Sequence, residues 1–116
     1  MKYCMSKDPL EYLKHIRDEC SFLLSIAGDD FSKNDLTDNE ILKRAVVRSL
    51  EIIGEASKKI PGDFKAKWKD INWKNMSGMR DRLIHDYMGV NYSIVWDVLK
   101  NKIPELYNQI VKVIGK

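Results

Sequence analysis

Apolar residues recur every three or four positions along most of this chain, and no comparable run alternates with the two-residue period of a strand. That spacing constrains the fold most, because it puts apolar side chains on one stripe of a helix and on both faces of a strand. From about Asp8 to Ala27, Leu13, Ile16, Cys20, Leu23 and Ala27 form one such stripe. Asp8 before Pro9 supplies an N-cap and a proline suited to the first turn. His15 falls opposite that stripe and is expected to be exposed and passive. Residues 28–40, with one lysine, five acids and many turn formers, read as a solvated loop with at most one helical turn. The acids lack the spacing of a calcium loop.

A second helix is expected from Asp38 or Asn39 to Lys59, ending before Pro61-Gly62. Ile41, Leu42, Ala45, Val46, Ile52, Ile53, Ala56 and Ile60 make a broad apolar face, with Val47, Leu50 and Gly54 as a second patch. Apolar contacts on two sides suit a central bundle helix or one that also forms a dimer interface. Arg44, Arg48, Glu51 and Glu55 form the remaining charged stripe. It reads either as a salt-bridged solvent face or as a source of Arg48 or Glu55 for a site elsewhere in the bundle.

A third helix is expected from Trp73 to about Tyr87, with Met76, Met79, Leu83 and Tyr87 on one face. Gly89 breaks it and Asn91 caps a fourth. Val95, Leu99, Leu106, Ile110 and Val113 keep one stripe in phase across Pro104, which implies a kinked helix or two abutting ones. The expected fold class is therefore all-α, a four- or five-helix up-down bundle in a single domain spanning residues 1–116.

Composition narrows the function. With 44% hydrophobic and 32% charged residues the chain is no disordered polymer. Two cysteines, Cys4 and Cys20, make neither a disulfide framework nor a zinc site. Without a membrane-length apolar run or a signal-type start, a cytoplasmic location is expected. Residues 1–60 carry ten Lys/Arg against eleven Asp/Glu, a balance of −1, whereas residues 61–116 carry ten against six, a balance of +4. The cations gather between Lys58 and Arg82, with Trp68 and Trp73 among them. This stretch reads either as a small phosphate-attracting surface or as a solvated connection with two core tryptophans.

No phosphate-binding glycine loop, metal cluster or nucleophile elbow appears in the sequence. The remaining constellation is Arg80, Arg82, His85, Asp86 and Tyr87. Histidine can take and give protons near neutrality, and arginine can grip a phosphate through its planar fork, so the combination points to phosphodiester chemistry. Five helical steps carry His85 about 140° around the axis from Arg80. Arg82 and Asp81 are its true helical neighbours. Either the helix distorts near His85 or the other half of the site comes from elsewhere, as a symmetric dimer would allow.

Arg48-Ser49-Leu50-Glu51-Ile52-Ile53-Gly54-Glu55-Ala56, Ile71-Asn72-Trp73, Met79-Arg80-Asp81-Arg82-Leu83-Ile84-His85-Asp86-Tyr87-Met88-Gly89-Val90 and Val95-Trp96-Asp97 follow one another in order. This succession closely resembles the HepT-like family of the HEPN superfamily over roughly residues 8 to 114. The resemblance implies a homodimeric bundle in which two Arg/His motifs meet in one cleft. It implies a metal-independent endoribonuclease without cofactor, acting on RNA as the toxin of a toxin–antitoxin pair. It places Arg80 and His85 at the catalytic positions; Arg82, as a helical neighbour of His85, and Glu55 and Arg48, from the charged stripe of the second helix, are the possible supporting residues. Tyr87 takes the position at which a small nucleotidyltransferase antitoxin attaches AMP. The motif fixes no role for Asp86. Related bundles resemble non-catalytic substrate-binding or adaptor subunits of nucleotidyltransferases, which is the alternative function. In a purely structural alternative, Arg80 and His85 merely pair with Asp81 and Glu55.

Overall fold

The computed structural model describes residues 8–83 and 89–115, and of Arg80 and Leu83 it describes the backbone alone. The first helix, α1, runs Pro9–Ile26, and the Asp8 side chain accepts the Leu10 N–H at 2.9 Å. Its expected stripe is the core, with Leu13, Ile16, Cys20 and Leu23 all fully buried, and His15 is exposed. Burial, with Glu19 as the lesser cause, pushes the Cys20 thiol from 9.0 to about 12. Cys4 lies outside the described residues.

The acidic loop contains one helical turn, α2, at Lys33–Thr37. Ser32 and Asp35 cap it reciprocally, each side chain accepting the other's backbone N–H, while Leu36 anchors it in the core. The central helix, α3, runs Glu40–Lys58 behind the Asn39 cap. Its buried face is Val46, Leu50, Ile53 and Ala56 with the small Ser49, Gly54 and Ser57. Ile41 departs from the expected face and stands 83% exposed. Its direction lies about 140° from Val46 and about 180° from Leu50, so the helix that buries those two turns Ile41 outward.

Past Pro61 the chain proceeds in short pieces: α4 (Gly62–Lys67), α5 (Trp73–Ser77) and α6 (Met79–Leu83). Trp73 is buried, and its indole N–H donates to the Trp68 carbonyl at 3.0 Å, whereas Trp68 is half-buried. The helix expected to run unbroken from Trp73 is interrupted at Gly78, whose ψ of 4° leaves the helical range. Glycine is worse than alanine inside a helix by about 1 kcal/mol, so the interruption falls where continuity is weakest.

Gly89 has φ +112°, a conformation open to glycine and strained for other residues. Asn91 then caps α7 (Tyr92–Asp97), accepting the N–H groups of Ser93 and Ile94. The junction expected at Pro104 is a π turn, Val98–Lys102, leading into α8 (Ile103–Ile114). Pro104 has no N–H to donate and its ring crowds the carbonyl of Lys100, so the chain widens and Ile103 N–H bonds instead to Val98 O. Val95, Leu99, Ile103, Ile110 and Val113 still stay on the buried side.

Helix α1 packs on α3 and α8, and α3 also receives α5 and α6, so the second helix is central to the bundle. The architecture is the expected all-α bundle, with the later helices subdivided. No described helix is long and apolar enough to cross a membrane.

Candidate functional site

The motif begins on α6, and α6 is placed by what lies beneath it. Met76 and Met79 are buried, and both bear on Gly54 of α3. A Cβ added to Gly54 would stand 3.2 Å from the Met76 carbonyl oxygen and 3.7 Å from Met79 Cβ. The absent side chain is what lets α5 and α6 settle on the middle of α3. Arg80 follows Met79 directly, so the glycine fixes the backbone from which the arginine departs. Asp81 and Arg82 are exposed. His85, Asp86 and Tyr87 lie outside the described residues.

The supporting candidates on α3 are distributed unevenly. Arg48 is 64% exposed and pairs with Glu51 of its own helix at 3.6 Å. Glu55 is exposed, whereas the Glu51 carboxylate is only 20% exposed. Glu51 precedes Gly54 by three residues and so shares the side of α3 that meets α5 and α6. The charged stripe offered Arg48 or Glu55 to the site, yet Glu51 is the more enclosed carboxylate of α3. Their spacing within the charged stripe does not separate them, because burial and not periodicity distinguishes the two.

The lysines of the Lys58–Arg82 stretch are mostly exposed: Lys58, Lys59, Lys67, Lys69 and Lys74 all face solvent. The stretch presents exposed lysines and seats Trp73, but not the half-buried Trp68, in the core. Beside it, a pocket of about 110 Å³ opens between α5, α6, the π turn and α8. Arg82 lines it, together with Lys102, Gln109 and Asn75. Lys102 and Gln109 carried no signal in the sequence because they lie on a segment remote from the motif, and Asn75 because a lone amide near it is unremarkable as a residue type.

Bundle and motif together define a HEPN-like helical domain. The chain belongs to the HepT-like family: the family model described as "Ribonuclease HepT-like" matches residues 10–113. A protein of Caldanaerobacter subterraneus subsp. tengcongensis named "Putative RNase" is 47% identical over 111 residues, covering 95% of this chain and 97% of its own length. A "Putative RNase" of Methanocaldococcus jannaschii is 40% identical over 104 residues, with 90% and 82% covered. The "Probable ribonuclease HepT" of Thermococcus cleftensis is 38% identical over 109 residues, with 94% and 98% covered. No solved structure matches the chain at comparable significance.

Proposed function

We propose that this protein is a metal-independent endoribonuclease, the toxin of a toxin–antitoxin pair, with a composite Arg80/His85 site at the interface of a homodimer. The observation that carries this reading is family membership across residues 10–113, combined with an Arg80 turn seated on Gly54 of the central helix. In the reaction the ribose 2′-oxygen attacks the adjacent phosphorus and the bond to the 5′-oxygen breaks. A 2′,3′-cyclic phosphate and a free 5′-hydroxyl result. His85 takes the proton from the attacking hydroxyl or returns one to the leaving oxygen, and Arg80 stabilises the charge added to the phosphorane. Antitoxin action is the transfer of AMP from ATP to Tyr87 by a small nucleotidyltransferase: the tyrosine oxygen, losing its proton, bonds to the α-phosphorus as the α–β anhydride bond breaks and pyrophosphate leaves, which places bulk and negative charge where substrate phosphate must enter.

The 140° separation of Arg80 and His85 on a regular helix makes the composite arrangement testable. Arg80→Ala and His85→Ala proteins are each expected to be inactive. Unfolded and refolded together, they should regain cleavage, because one heterodimer site pairs an intact arginine with an intact histidine. Failure to regain cleavage in verified heterodimers would place both residues of each site in one protomer.

A further inference from the structure

The pocket beside α6 is built like a subsite for one flat, polar-edged ring. Its floor is apolar, made by Met76, Met79, Ile103 and the half-buried Leu106. Methionine adapts its shape readily to an aromatic ring. At the rim, the side chains of Asn75, Arg82, Lys102 and Glu105 make no hydrogen bond or ion pair among the described residues. Gln109 donates one amide hydrogen to Asp70 O at 3.1 Å, keeping its carbonyl oxygen and second hydrogen. An apolar floor with a few convergent polar groups is the usual constitution of a small-ligand site.

Size and charge narrow the ligand. An apolar cavity of about 150 Å³ holds a benzene ring, so about 110 Å³ with a solvent-facing rim takes the inserted part of one heterocycle and none of its sugar and phosphate. Two cations against one carboxylate leave the rim positive, which suits a phosphate lying outside the pocket. Single-stranded RNA is commonly read in this way, with a base splayed from the strand and hydrogen-bonded on its edge.

We infer that this pocket receives one unstacked base of the RNA substrate, with Arg82 and Lys102 on the adjoining phosphate and Asn75, Glu105 and Gln109 reading the base edge. The inference rests on the ribonuclease reading and deepens it by assigning a determinant of base preference. Glu105 can only accept while ionised. It therefore favours a base that presents an exocyclic amino group, adenine, cytosine or guanine, over uracil, which has none.

The test uses tetranucleotides of adenine or uracil, 2′-O-methylated so that they bind without being cut, and AMP and UMP as free nucleotides. The full chain should bind the adenine tetranucleotide about tenfold more tightly than the uracil one, the scale of one good edge contact. Leu106→Trp, which fills the pocket, should abolish that difference. Lys102→Ala, at an exposed position and so testable even should Leu106→Trp unfold, should weaken both tetranucleotides alike. Variants that bind both as the native chain does and cut RNA with unchanged base preference would overturn the subsite and leave the ribonuclease reading standing. AMP binding as tightly as the adenine tetranucleotide would also overturn it, in favour of a free-nucleotide site. Absence of cleavage by the native chain, with the adenine preference present and lost in Leu106→Trp, would refute the nuclease and keep the base subsite.

Discussion

The α1–α3–α8 scaffold and the segment from α4 to α7 are built on opposite principles. The scaffold consists of helices of 18, 19 and 12 residues locked by side chains with no exposed surface, among them Leu13, Ile16, Leu50, Ile53 and Ile110. Among the described residues the other segment holds α4, α5 and α7, helices of five or six residues, with Asn caps at Asn72 and Asn91 and a few anchors such as Trp73 and Met76. Helices this short are not stable on their own and keep their shape only by tertiary contact and capping. Stability therefore resides in one region and the motif in the other. Gly54 is the point where the first positions the second.

That division predicts a ranked set of outcomes. Leu50→Ala, in the scaffold, should cost about 2–5 kcal/mol through lost burial and the cavity left behind. Urea unfolding would measure it, and any loss of cleavage should follow the unfolded fraction. Gly54→Leu should cost less in stability, about 1–3 kcal/mol for overpacking. It should cost more in activity, because the side chain must displace the Met76 carbonyl and with it the turn carrying Arg80. A drop in cleavage no greater than the unfolded fraction would remove Gly54 from its positioning role. Asn91→Ala should cost about 1 kcal/mol through loss of the α7 cap, seen as a lowered thermal midpoint.

A further effect is set by pH. The Cys20 thiol is held protonated in the fold, raised from 9.0 to about 12, while the unfolded chain ionises at its ordinary value. Between those values the unfolded state binds fewer protons than the native one, so stability is fully present below pH 9 and declines as pH rises toward 12. Chemical denaturation of the native chain and of Cys20→Ala from pH 8 to 10.5 should show a steeper alkaline decline in the native chain. Parallel pH profiles would contradict the buried-thiol account.

The two regions also differ in how far they could be read from the sequence. In α1 one stripe faces one core, so the residues at three- and four-residue steps, the Asp8 cap and the exposure of His15 follow from local pattern alone. Asn91 and Gly89 were readable for the same reason, since cap and breaker chemistry acts over a few residues. The interruption at Gly78 and the π turn before Pro104 were not, because each depends on how a weak helical position is settled by packing. Ile41 was misassigned since its apolar character was counted without the phase of Leu50 and Val46. The pocket rim was invisible because Asn75, Arg82, Lys102 and Gln109 converge only once α8 lies against α5 and α6. Arg80, His85 and Tyr87 were conspicuous as residue types, but no periodicity shows which carboxylate of α3 lies nearest to them.

The most direct measurement is cleavage of RNA by the purified chain in EDTA, comparing the native protein with Arg80→Ala and His85→Ala after confirming that all three are folded and share one oligomeric state. The account predicts metal-free cutting that leaves 2′,3′-cyclic phosphate ends and falls about a hundred- to ten-thousand-fold in His85→Ala, with a comparable fall in Arg80→Ala. Cleavage that survives both substitutions, or that requires a divalent ion, would contradict it.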